Sequence, residues 1–187
     1  MTTTDIQKTL TGVTVGLSVS ATSEMAALGV NAAEVTHMKD VIAQHLLAQG
    51  CEIASEHGPS CHARICIGGQ TEWTHGRYPS VIADALSTLQ AAQPLYLSGV
   101  IGGAAAKVIS ALRQVGMPAD FGPPRGEGQL TPKDIWKRLM SVGVAGLAQH
   151  NGLSVAENEA LFKATNMSQI AEAIGLGLSR LRAAGQL

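Results

Sequence analysis

Apolar and small residues alternate from Val13 to Ser20 (VTVGLSVS), and the valines favour extended backbone, so a first strand is predicted there. Asn31 precedes Glu34 by three residues, the spacing of a capping box, and opens a helix. Val35, Met38, Val41, Ile42, His45 and Leu46 follow at helical spacing until Gly50 ends the run. Arg64–Ile67 (RICI) is a short apolar run that closes on Gly68 and Gly69, the pattern of a buried strand entering a loop. Pro79 starts a helix that runs through Ala91, because the fixed φ of proline suits a first turn. Pro94–Ser98 (PLYLS) is the next strand, and it also releases the chain through glycines, Gly99, Gly102 and Gly103. Ala104–Val115 reads as a helix of small residues.

Strand, glycine loop and helix thus occur twice in succession. That alternation predicts an α/β fold, a Rossmann-like parallel sheet with flanking crossover helices. Residues 116–131 are rich in Gly and Pro and read as irregular. Pro132–Leu147 and Ser168–Arg182 read as amphipathic helices of a C-terminal tail, with a turn at Asn151-Gly152 and a second capping-box spacing at Ser154–Glu157. Residues 1–120 form the expected binding core. Residues 121–187 form a loop and helices that pack on the core or at an oligomer interface. Gly175 and Gly177 inside the last helix imply a close helix contact, such as one across a subunit interface.

Composition narrows the class. Of 187 residues, 45% are hydrophobic and 14% charged, enough apolar material for a core and too little charge for disorder. Aromatics are 3% and glycines number 21, so the core is aliphatic and closely packed, which favours helix on sheet. A net charge of −1 offers no basic face for nucleic acid. No apolar run is long enough for a bilayer, and MTTTDIQKTL lacks a signal-peptide core, so no membrane partner is expected and the expected compartment is the cytoplasm. The three cysteines then read as reduced thiols.

In an open parallel sheet, ligands sit beyond the carboxyl ends of the strands. Glycines there let the backbone approach closely and turn N–H groups toward a phosphate, with the next helix adding its positive end. Gly68, Gly69, Gly99, Gly102 and Gly103 are therefore the candidate cradle, the alternative being tight turns with no ligand. Arg77, just before a predicted helix, is placed to pair with phosphate in a bidentate manner or to sit solvated. Asp84, about one turn into that helix, reaches a ribose hydroxyl or a glycosidic bond, or is a solvated carboxylate. Ser18 and Ser20 end the first strand and either bond a ligand or cap the loop. Tyr78 and Trp73 either stack on a base or pack in the core.

The run ICIGGQTEWTHGRYPSVIADAL followed by PLYLSGVIGGAAAKVISAL resembles the SLOG superfamily, relatives of the "lonely guy" phosphoribohydrolases. VGLSVS resembles the first strand of that group, and NGLSVAENEALFKATNMSQIAEAIGLGLSRL its helical tail. The resemblance implies binding of nucleotides or NAD-derived ligands, in bacterial anti-phage and nucleotide-signalling systems with effector proteins as partners, and a homo-oligomer. Its enzymatic branch implies N-glycosidase chemistry on nucleoside monophosphates, with catalytic roles falling on Arg77 and Asp84. No cofactor is implied. Ser80 replaces the glycine that usually follows the motif proline, and Ala83-Asp84 replaces an acidic pair. Between Gly50 and Arg64 the family has a further strand, glycine loop and helix; CEIASEHGPSCHA stands here, so a strand–helix unit is expected to be missing.

Cys51, His57, Cys61, His62 and Cys66 crowd into sixteen residues but lack the paired knuckles of a zinc site, so no metal is expected. Cys61 and His62 are adjacent, a poor arrangement for a nucleophile and its base. His75, beside Arg77, titrates near neutral pH or is simply solvated.

Overall fold

The computed structural model describes residues 10–22, 25–54, 61–73, 78–122 and 130–187. Among these described residues four parallel strands form one sheet: β1 (Thr14–Ser20), β2 (Glu52–Ala54), β3 (Ala63–Gly68) and β4 (Leu95–Ser98), in the order β2-β1-β3-β4. The helices are α1 (Ala32–Ala48), α2 (Ser80–Gln90), α3 (Gly103–Leu112), α4 (Pro132–His150), α5 (Val155–Lys163) and α6 (Met167–Ala183), with a short 3-10 turn at Met25–Leu28. The expected α/β sheet with flanking helices and a helical tail is present. β2 corrects one expectation: the strand thought missing after Gly50 exists, paired in register with β1 from Thr14↔Glu52 to Gly16↔Ala54. Three residues are too short a run to show a period of two.

Alternation along the strands sorts side chains onto two faces. Val15, Leu17, Val19, Ile65, Ile67 and Tyr96 face a core closed by α1 and α6. Cys66, Leu95 and Leu97 face a second core with α2, α3 and α4. The polar and small residues of β1, Gly16, Ser18 and Ser20, share that second face, in register with Arg64, Cys66 and Gly68. Among the described residues no helix is long and apolar enough to cross a membrane.

Capping chemistry sets the helix starts. Asn31 and Ser154 close the boxes their spacing predicted, and Thr131 closes a third with Asp134. Helix α4 is broken at Gly143, whose φ of 62° is not helical. Glu157 belongs to the α5 box and also pairs with Arg180 on α6 at 2.8 Å. The Arg180 hydrogen bonds, and after them those from the Ser154 backbone and hydroxyl, lower its carboxyl from 4.5 to about 2. A depressed carboxyl stabilises the fold above its unfolded value and loses that contribution as pH falls from about 4.5 toward 2. Glu157→Gln is expected to flatten the acid limb of a melting-temperature profile in that window; an unchanged limb would reject the coupling.

The tail packs tightly on the sheet. Asn151, expected as a turn residue, is fully buried. Its Nδ2 donates to the carbonyl of Leu95 (3.1 Å) and to Asn158 Oδ1 (2.7 Å), while Tyr96 Oη donates to the Asn151 carbonyl (2.8 Å). Gly177 leaves room for the Asn151 carbonyl and the Tyr96 hydroxyl, and Gly175 for the Gln49 amide. The close contacts expected of these two glycines are thus made within the chain.

Candidate functional site

Because the strands are parallel, β1, β3 and β4 all release the chain at one edge of the sheet. There the two glycine loops interlock. Gly69 N–H donates to the Ser20 carbonyl (3.0 Å), and Ala104 N–H donates to the Gly69 carbonyl (2.9 Å). Gly69 has φ 87° and Gly103 φ 68°, left-handed values that disfavour side chains. A Cβ on Gly103 would run into the Gly69 carbonyl and the Thr22 methyl, and one on Gly69 into Val81. Two backbones and the start of α2 therefore meet with no space for a side chain.

That closeness changes what the amides do. Besides Gly69, Gly99 N–H donates to the Phe162 carbonyl (3.2 Å) and Gly102 N–H to the Gly99 carbonyl (3.0 Å). The amides of Gly69, Gly99 and Gly102, expected to point at a phosphate, are bonded inside the protein. Each loop is so tight that its N–H groups meet a neighbouring carbonyl. The polarity that the helix starts add at this edge lies one step further on, apart from the Ala104 N–H, which the Gly69 carbonyl already holds. Helices α2 and α3 start at Pro79 and Gly102 with no side-chain cap, whereas α1, α4, α5 and α6 are all capped by Asn, Thr or Ser side chains. An uncapped first turn presents backbone N–H groups and the positive end of the helix dipole.

Thr22 was not singled out by sequence, yet it sits against Gly103 and its hydroxyl donates to the Ile101 carbonyl (3.3 Å). The period-two row Gly16, Ser18, Ser20 extends to it and is the signal that marks it. Ser20 is exposed at the end of β1.

A second group lies deeper on the same face. Ser18 Oγ donates to Asp84 Oδ2 at 2.8 Å, joining β1 to α2. Arg64 Nη1 donates to Ser18 Oγ at 3.3 Å and stands 3.5 Å from Asp84 Oδ2, while its Nη2 reaches Cys61 Sγ at 3.5 Å. Arg64 and Ser18 are each only 7% exposed. Gly16 makes the room, since a Cβ there would press on the guanidinium and on Cys61 Sγ. Burying an arginine is tolerable only with a counter-charge and hydrogen bonds, and Asp84 and Ser18 provide them. In the sequence alone Arg64 reads as the first residue of an apolar strand. The available signal was a charge on the face that carries Ser18.

Other candidates are placed as follows. Cys66 is fully buried in register with Ser18, and burial, then the Asp84 charge, raises its thiol far above the usual range. Burial likewise pushes Cys51 up to about 11. His62 Nδ1 accepts the Thr14 amide (3.0 Å) while Cys61 faces Arg64, so the adjacent pair is directed at different partners. Tyr78 is half-buried, its ring edge-on to Trp73 at 6.0 Å. Trp73 continues to Phe121 (6.0 Å) and Phe121 to Trp136 (4.7 Å), an aromatic row leading into the α4 core. Arg77, His75 and His57 lie outside the described residues. Among the described residues no group of three His, Cys, Asp or Glu is arranged to hold a metal. A mostly aliphatic groove of about 380 Å³ between α5 and α6, lined by Leu153, Leu161, Ala164, Ala173 and Leu176, is built from helices other than α2 and α3.

No curated protein and no solved structure matches the chain. The family model SLOG cluster2 matches residues 55–121, the stretch that contains β3, α2, β4 and α3 and therefore both glycine loops. That match covers just over a third of the chain; it makes this stretch similar to the SLOG superfamily and suggests, at the level of the family, a nucleotide-related function.

Proposed function

We propose that the chain is a sensor module that binds a nucleotide or NAD-derived small molecule at the carboxyl edge of its sheet. The observation that carries this reading is the pair of uncapped helix starts, α2 and α3, opening where the two glycine loops meet. A phosphate there takes the first-turn amides of α2 and the positive ends of both helices. Gly68, Gly69, Gly99, Gly102 and Gly103 shape this edge by letting backbones touch. Arg77, from the segment before α2, pairs with the phosphate. Ser20 and Thr22 border it, Ser18 and Asp84 lie toward the ribose, and Tyr78 lies toward the base. Occupancy is passed to a homo-oligomer or an effector protein in the cytoplasm, as in bacterial anti-phage signalling.

The rival reading is a phosphoribohydrolase-like N-glycosidase with Asp84 and Arg77 as catalytic groups. Asp84 Oδ2 is already held by Ser18 and Arg64, and the neighbouring acidic position is Ala83, which favours binding without turnover. A panel of nucleoside monophosphates, NAD and ADP-ribose tests both readings. A binder at one hundred times its Kd stabilises by about 2.7 kcal/mol, a rise of roughly 5–10 °C for a chain of this size. Arg77→Ala is expected to weaken phosphate-dependent affinity about tenfold or more without lowering the melting temperature of the free protein. Unchanged affinity rejects its role. Free base released from any of the compounds favours the enzyme, and no shift with any of them sinks the reading.

A further inference from the structure

We propose that Arg64 is a positioning residue, which with Ser18 fixes one oxygen of Asp84 so that the other reads the vicinal hydroxyls of a ribose, making the site selective for ribonucleotides over 2′-deoxyribonucleotides. This inference rests on the nucleotide-binding reading above. Ser18 Oγ (2.8 Å) and Arg64 Nη1 (3.5 Å) both converge on Oδ2 of Asp84. Among the described residues nothing bonds Oδ1, and the Asp84 side chain keeps 22% of its surface exposed, against 8% for that of Arg64. The carboxylate is therefore held through Oδ2, and its side chain keeps some contact with solvent.

An ionised carboxylate only accepts hydrogen bonds, so its ligand must donate. It repels a phosphate and suits a hydroxyl pair. Its position agrees with that role. Ser18 precedes the end of β1 by two residues, about 7 Å along a strand, and Asp84 lies about one turn into α2, below the edge where the phosphate is placed. A ribose lies at a comparable remove from its 5′-phosphate. The buried guanidinium sets a counter-charge beside Oδ2 through Nη1, while its Nη2 is turned to Cys61 Sγ.

The test measures affinities of AMP, GMP, CMP and UMP and of their 2′-deoxy forms by calorimetry, for the natural chain and for Arg64→Gln, Arg64→Lys, Asp84→Asn and Ser18→Ala. The natural chain is expected to prefer the best ribonucleotide over its deoxy form by about tenfold, the scale of one hydrogen bond to a charged group. Asp84→Asn and Arg64→Gln are expected to erase that ratio while the deoxy form still binds, and Arg64→Lys to restore part of it. Ser18→Ala, the mildest change, is expected to lower the ratio and serves if Arg64→Gln does not fold. A ratio that survives Arg64→Gln, or survives Ser18→Ala where the arginine variant is unfolded, overturns the positioning role. Equal binding of ribo and deoxy forms by the natural chain overturns the inference but leaves the nucleotide reading standing. Binding of none of the eight overturns the inference, and the nucleotide reading falls with it if NAD and ADP-ribose do not bind either.

Discussion

Gly103→Ala is expected to unfold about 10 °C below the natural protein and to lose nucleotide binding at the same time. Two independent costs add at this position. The backbone sits at φ 68°, where a side chain is strained by about 1–3 kcal/mol. The new methyl also runs into the Gly69 carbonyl and Thr22, a backbone collision that no rotamer relieves, which costs about 1–3 kcal/mol more. At roughly 2–4 °C per kcal/mol for a chain of this length, the sum gives the stated drop. The same collision forces apart the Ala104 N–H and the Gly69 carbonyl, now 2.9 Å apart, and so displaces the start of α3 from the sheet edge. Thermal denaturation with and without a nucleotide checks both parts. Gly116→Ala is the control, because a Cβ there meets nothing within 4 Å and its backbone does not need glycine. A variant Gly103→Ala that melts within 2–3 °C of the natural chain would show that the interlock of the two loops carries little energy.

Asn151→Ala is expected to cost about 4 kcal/mol, the largest effect of any substitution in the tail. Removing the side chain strands the Leu95 carbonyl, the Leu153 N–H and Asn158 in a region with no exposure to water. Each buried group left without a partner costs about 1–3 kcal/mol, partly offset where neighbours relax. The consequence extends beyond stability. Asn151 ties the α4–α5 connection to β4, and α5 in turn receives the Gly99 amide through the Phe162 carbonyl. Arg113 on the C-terminal end of α3 adds an ion pair to Glu159 on α5 and lies over the Phe162 ring at 5.3 Å. Loosening α5 should therefore raise hydrogen exchange at Gly99 and in the first turn of α3 as well as in the tail. Urea denaturation combined with exchange mass spectrometry reads both; a change confined to α5 and α6 would separate the tail from the site.

The parts of this fold that were legible are those encoded by neighbours in the chain. The alternation of Val15, Leu17 and Val19 with Gly16, Ser18 and Ser20 placed β1 and assigned its two faces. The Asn31–Glu34 and Ser154–Glu157 spacings placed two helix starts to the residue. Glycines after β3 and β4 located the loops at one sheet edge. What escaped depends on residues distant in sequence. Asn151-Gly152 carries a strong turn signal, and nothing local reveals that the asparagine is packed beneath Leu95 and Tyr96. Arg64 reads as the border of an apolar run until Ser18 and Asp84, 46 and 20 positions away, are brought onto it by the sheet and α2. The glycine loops show the same limit. Their composition announces left-handed backbone, but which carbonyl stands opposite each amide is decided by how β1, β3 and β4 line up, and that alignment engages Gly69, Gly99 and Gly102 internally.

The proposed anion site therefore rests on the first turns of two helices rather than on the glycine amides. Amide chemical shifts of the isotopically labelled protein, followed as AMP, NAD or ADP-ribose is added, test that placement most directly. The account predicts saturable shifts concentrated in Ser80–Ile82 and Gly103–Ala105, with smaller ones at Ser20 and Thr22. Shifts gathered instead along the groove between α5 and α6, or no shifts with any of the three, would contradict it.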